Sequence, residues 1–283
     1  MFTEFIDALV KHAFMRYALV TGVLAGIACG IVGTYVVARR ITYVAGGISH
    51  TVLGGMGIAF YLSVVYNWKA LHPLYGAIAA AILAAVIIGL VSLRAKERED
   101  TVIGALWAVG MAVGVLFISQ TPGYNENLMS YLFGNILMVS ARDLWLIGIL
   151  DLVVVGATLA FHNQLQAVCF DEEFARIRGV KVEFYYLLLL CLVALTVVLL
   201  LTVVGIIMVI ALLVLPAAVA GFFTRTLKQN MILAVVLCIA FTTLGLAISY
   251  EPNLPAGATI IVLAGATYLA VMLVKGRLKG RRG

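Results

Sequence analysis

Residues 184–223 read FYYLLLLCLVALTVVLLLTVVGIIMVIALLVLPAAVAGFF, forty consecutive positions without an acid or a base. A bilayer hydrocarbon core takes about twenty apolar residues of helix, so this run suffices for two crossings with a tight turn near Gly205. One long bent helix is the alternative. The rest of the chain is built the same way. Of 283 residues, 64% are hydrophobic and 11% are charged, with a mean hydropathy of +1.13. A soluble domain carries about 25% charged residues, which places this chain among the polytopic membrane proteins. No stretch is polar enough for a second, soluble domain, so one transmembrane domain over residues 1–283 is expected.

Candidate spans cover approximately 14–37, 41–66, 72–93, 101–119, 143–161, 184–203, 205–223, 231–249 and 257–274, giving an all-α fold of eight or nine transmembrane helices. A shorter apolar piece, 128–139, is too brief to cross and reads as re-entrant or interfacial. The opening MFTEFIDALVKHAF carries Glu4, Asp7 and Lys11, which is not the basic start of a removable signal peptide. Cysteines 29, 169, 191 and 238 show no paired spacing and read as small apolar fillers.

Lysine and arginine set the sidedness. With the basic tail 275–283 inside and nine alternating spans, Arg39, Arg40, Arg94, Lys96, Arg98, Arg176, Arg178, Lys181, Arg225 and Lys228 also fall inside. The other side keeps Lys11, Arg16, Lys69 and Arg142. The N-terminus is then outside, and the net charge of +6 is mostly positive-inside bias that needs no nucleic-acid partner.

One polar insert, at about 162–183, interrupts the apolar pattern. Its core is CFDEEFARIRGVK, residues 169–181. Asp171, Glu172 and Glu173 precede Arg176, Arg178 and Lys181, an order that suits the helix macrodipole, and Asp171 can cap the first turn. Phe170, Phe174 and Ile177 fall on one face, and Gly179 follows. Such a helix either lies on lipid headgroups or docks a soluble partner.

Inside the spans, the polar exceptions carry the information. His50 lies about three turns into the second span beside Ser49, with Gly46, Gly47, Gly54, Gly55 and Gly57 around it. A neutral imidazole at this depth either hydrogen-bonds a neighbouring helix or touches a transition metal. Asp151, in the fifth span, either pairs with a helix neighbour or belongs to a polar path, while His72 and His162 sit at span ends. Gly22, Gly26 and Gly30 form a helix-packing face. Pro216 should kink its helix unless a neighbour satisfies the freed carbonyl. No Walker A loop, GxSxG elbow or HExxH pair is present, so the chain is not expected to hydrolyse ATP or to be an enzyme.

Four stretches, in order, resemble the membrane permeases of ATP-binding-cassette importers for zinc, manganese and iron. They are VVARRITYVAGGISHTVLGGMGIAF (36–60), LFGNILMVSARDLW (132–145), FDEEFARIRGV (170–180), and VVGIIMVIALLVLPAAVA (203–220) followed by LPAGATIIVLAG (254–265). The resemblance implies a multi-pass protein of a prokaryotic cytoplasmic (inner) membrane, its C-terminus cytoplasmic. It implies a second permease copy in a homodimer, a separate ATP-binding subunit and an extracytoplasmic metal-binding protein. Phe170–Val180 would then be the cytoplasmic coupling helix that docks the ATPase, and His50 a transient contact for a transported divalent metal. No permanently bound cofactor is implied. The family commonly places an aspartate four residues before the histidine, where this chain has Gly46. An ion-coupled secondary transporter and an importer of a metal chelate are the alternatives.

Overall fold

The computed structural model describes residues 2–68, 71–94, 99–122, 136, 139–252 and 254–280, and its described secondary structure is entirely helical. The helices are α1 (Phe2–Lys11), α2 (Ala13–Arg39), α3 (Thr42–Val65), α4 (Pro73–Arg94), α5 (Glu99–Ser119) and α6 (Ala141–Ala160). They continue as α7 (His162–Phe170), α8 (Glu172–Ile177), α9 (Val182–Val204), α10 (Ile206–Gly221), α11 (Leu227–Tyr250) and α12 (Ala256–Gly280). Eight of these, namely α2 to α6, α9, α11 and α12, are long and apolar enough to cross a membrane. Of the segment 128–139, only Ile136 and Val139 belong to the described residues.

The apolar run 184–223 is two helices, not one bent one. The break is Gly205, at φ 83° and ψ 159°, a backbone region open essentially only to glycine. With 16 residues, α10 is about 24 Å long at roughly 1.5 Å per residue, less than a hydrocarbon core of about 30 Å. It is shorter than the eight long helices and joins the end of α9 to the start of α11. α2 and α11 run antiparallel: Gly22 faces Thr242, Gly26 faces Cys238 and Gly30 faces Val235. A Cβ on Gly30 would come within 2.6 Å of Val235, so the small-residue face of α2 is what allows the two backbones to meet.

The C-terminal end of α2, α7, α8 and the start of α11 therefore share one end of the bundle. The far end of α12 joins them, because Lys275 donates to the Phe222 carbonyl and lies over the Phe223 ring. At the opposite end α1 packs the Phe5 ring edge-on against Tyr250. The glycines of α3 serve close approach in the same manner. A Cβ on Gly54 or Gly57 would lie 2.8 Å from the carbonyls of Gly110 and Gly114 on α5, while Gly55 packs on Gly76 of α4.

Pro216 is buried inside a continuous α10. It removes the N–H that would have bonded the Leu212 carbonyl. The thiol of Cys238, on α11, donates to that same Leu212 oxygen at 3.4 Å, which supplies the neighbouring donor such a proline needs. Cys238 is thus more than an apolar filler.

Candidate functional site

The insert 162–183 holds two short helices that meet at Asp171. Asp171 is extended (φ −153°, ψ 101°), and its carboxylate accepts from the Phe174 N–H at 2.9 Å. One residue thereby ends α7 and caps α8. Six residues on, α8 stops in a Schellman motif: the Val180 N–H reaches Ala175 O and the Gly179 N–H reaches Arg176 O, each at 3.0 Å. Gly179 is at φ 78°, the left-handed position this motif requires. The local sequence therefore makes a rigid, doubly capped single turn.

What that turn presents is apolar. Phe170, Phe174 and Ile177 are 64%, 50% and 85% exposed. Arg178 lies over the Phe174 ring, 5.1 Å from its centroid, and Arg176 pairs with Glu183 at 3.0 Å. Glu173 is exposed. Three large apolar side chains are thus held out on the surface of a capped turn rather than in a core.

The other side of the insert is tied into the bundle by Arg39, at the end of α2. Its guanidinium pairs with Glu172, donates to the Val168 carbonyl at 3.1 Å, and lies 5.2 Å from the Tyr186 ring centroid. One turn earlier, the Tyr35 hydroxyl meets His162 Nδ1 at 3.0 Å. Burial first, and then Lys228, hold the His162 imidazole below its ordinary pKa. His162 is therefore a structural partner of α2 and not a free interfacial side chain. Burial pushes the nearby Cys169 thiol up to about 12, which leaves it unreactive.

Two adjacent arginines have different roles. Arg39 is the latch, while Arg40 takes the left-handed position (φ 63°) of a second Schellman motif, in which the Ile41 N–H reaches Val36 O and the Arg40 N–H reaches Val37 O. A doubled arginine in sequence does not distinguish them. Arg39, Tyr35 and Tyr186 were not legible as a site, because their roles depend on contacts across more than a hundred residues of chain.

In the spans, His50 stacks flat on Trp107 of α5, with ring centroids 4.2 Å apart and planes 9° apart. Its Nδ1 is buried and has no partner among the described residues. Trp107 and Gly46 line a cleft of about 440 Å³ against α10, with Tyr43, Ile207, Ala211 and Val214. A Cβ at position 46 would sit 3.7 Å from the indole, so there is room for a side chain there. Ser49 is fully buried and donates to the Ala45 carbonyl of its own helix at 2.7 Å. Asp151 is elsewhere, on α6 where it packs on α2, with both carboxylate oxygens buried and unpartnered among the described residues. The structure thus separates His50 from Asp151. Among the described residues, no three His, Cys, Asp or Glu side chains converge as a metal-holding group.

Two features define the class: a helical bundle long enough to span a bilayer, and a doubly capped, apolar-faced turn latched to one end of it. This is a multi-pass membrane permease. The chain matches the ABC 3 transport family over residues 11–275. It is 41% identical over 251 residues to a probable metal transport system membrane protein of Chlamydia trachomatis, covering 89% of this chain and 85% of that one. It is 33% identical over 277 residues to the manganese import system permease protein ScaB of Streptococcus gordonii, covering 97% and 96%. The structure of PsaBC from Streptococcus pneumoniae in complex with Fab superposes with a TM-score of 0.85 at 33% identity, covering 96% of this chain and 95% of that one. The chain belongs to the ABC 3 transport family, a family of metal-importing permeases, and is a transport subunit rather than an enzyme.

Proposed function

We propose that this chain is the permease of an ATP-driven importer of divalent transition-metal ions, with manganese the first candidate and zinc and iron behind it. The observation that carries this reading is the near-complete coverage of a relative named for manganese import. A separate ATP-binding subunit docks on Phe170, Phe174 and Ile177, framed by Asp171, Glu173, Arg176, Arg178 and Gly179. An extracytoplasmic metal-binding protein delivers the ion at the opposite end, and a second copy of the chain completes the passage. The positive-inside bias puts the coupling end, and with it the C-terminus, in the cytoplasm.

Closure of the ATPase pair displaces α8. Arg39 transfers that displacement to α2 through Glu172 and Val168. The end of α2 leads through Arg40 and Ile41 directly into α3, so the motion reaches the helix that carries His50. The ion meets His50 transiently at the Trp107 face, while Ser49 and Asp151, buried elsewhere, stay off its route. Weak contact is what transport needs, because the ion must leave again. Pro216 marks the place where α10 is softest against this movement.

Elemental mass spectrometry of cells lacking their own importers tests this. Accumulation of one metal only when the chain is expressed with its ATPase and binding protein is the expected result, and His50→Ala lowers it at unchanged protein level. Accumulation without the ATPase would replace this reading with a secondary transporter.

A further inference from the structure

α6 and α11 pack on two flanks of α2, and between them lies a cleft of about 760 Å³ open to the side of the bundle. Its floor and walls are apolar, from Ile27 and Ile31 of α2, Val155 of α6, and Ile232 and Val235 of α11. Its polar lining, Thr158, His162, Asn163 and Lys228, lies towards one end. That end lies where α6 stops at Ala160 and α11 begins at Leu227, at the edge of the apolar zone. Lys228 and Asn163 are exposed. Among the described residues no acidic side chain pairs with Lys228.

A groove that is apolar along its length and cationic at the membrane-surface end matches one kind of molecule, a lipid with a negative headgroup. Leu159, Ile232 and Val236, on its walls, are 75%, 68% and 55% exposed, so acyl chains have direct lateral access. We infer that the α2–α6–α11 cleft is a binding site for an anionic phospholipid, with the headgroup phosphate at Lys228 and Asn163 and an acyl chain along Ile31 and Ile232. A second copy of this chain is the less fitting occupant, because a two-fold pairing through this groove gives Lys228 no opposite charge. The site adjoins the coupling segment, since His162 both lines the cleft and opens α7.

The test is native mass spectrometry of the full-length protein released from nanodiscs containing phosphatidylglycerol and phosphatidylcholine in equal amounts. Preferential retention of phosphatidylglycerol is expected. Lys228→Gln should lower it about fivefold, the weight of one lysine near an anionic surface. Ile232→Trp, which fills the acyl slot and leaves the charges alone, should lower it as well. Arg225→Gln removes a cation from the same end outside the cleft and should change nothing. Equal retention of the two lipids overturns the site, as does retention unchanged in either cleft variant. A loss in Arg225→Gln as large as in Lys228→Gln would reduce the effect to diffuse surface attraction. A shift of Ile232→Trp from dimer to monomer, with lipid retention unchanged, would give the groove to a second copy instead.

Discussion

Replacing Arg39 with alanine should release residues 162–177 from the bundle without unfolding the bundle. The guanidinium makes three interactions at once. Its bond to the Val168 carbonyl is a charged hydrogen bond, worth about 1.5–3 kcal/mol. The Tyr186 contact adds about 0.5–1 kcal/mol. The pair with Glu172 joins side chains 21% and 34% exposed, so solvent screening holds it to about 1 kcal/mol or less. The three share one group and do not add fully. A loss of about 3 kcal/mol is the reasonable total, equivalent to on the order of a hundredfold in a local opening equilibrium. Hydrogen exchange on the purified permease reads this directly, because amides of 162–177 report local opening apart from global unfolding. Arg39→Ala should speed their exchange by that factor and leave α11 amides unchanged. Arg39→Lys should recover part of the effect, since it keeps the charge and loses the fork. Arg40→Ala, which touches none of these partners, should leave residues 162–177 at wild-type rates. Unchanged exchange over 162–177 in Arg39→Ala would refute the latch, and so would a uniform acceleration across every helix.

Four other outcomes follow from local geometry. Arg40→Gly relieves a left-handed non-glycine residue, worth about 1–2 kcal/mol, against about 0.5–1 kcal/mol of added unfolded-chain freedom. It should raise thermal stability by about 1 kcal/mol or less, read as a higher unfolding midpoint in detergent. Gly205→Ala forces a Cβ into a glycine-only backbone region and should cost about 1–3 kcal/mol, seen in the same assay. Cys238→Ala leaves the Leu212 carbonyl without a donor and should cost about 1–3 kcal/mol, while Cys238→Ser keeps most of the stability. Adding Pro216→Ala to Cys238→Ala returns a backbone N–H to that carbonyl, so the double variant should be more stable than Cys238→Ala alone. For His162, the folded pKa is depressed, so the unfolded chain binds the extra proton first. Stability should be full above about pH 6.5, the ordinary histidine value, and should fall as the pH drops through that value towards the folded pKa. His162→Gln should flatten that acid slope.

Much of the architecture was legible because a bilayer imposes strict rules on sequence. Apolar length identified the eight long helices, lysine and arginine bias identified one end, and the cap signal at Asp171 marked where α8 starts. Each of these is a local property, set by hydrophobicity, charge or backbone conformation within a few residues. The break at Gly205 was less so, since an apolar run reads alike as one helix or two, and only the φ of one glycine settles it. Cys238 read as filler because its carbonyl partner lies on another helix, beside a proline 22 residues away in sequence.

By itself, then, the sequence determined that this is a multi-pass helical membrane protein with one charged, capped turn, because solvent preference and capping act locally. The tertiary structure alone decided which of two neighbouring arginines holds that turn to the bundle. It also decided that His50 lies on Trp107 while Asp151 is buried against a different helix. Those facts rest on which helix faces meet. In this chain the meeting is governed by glycine contacts such as Gly30 on Val235 and Gly54 on Gly110, whose partners no local pattern names.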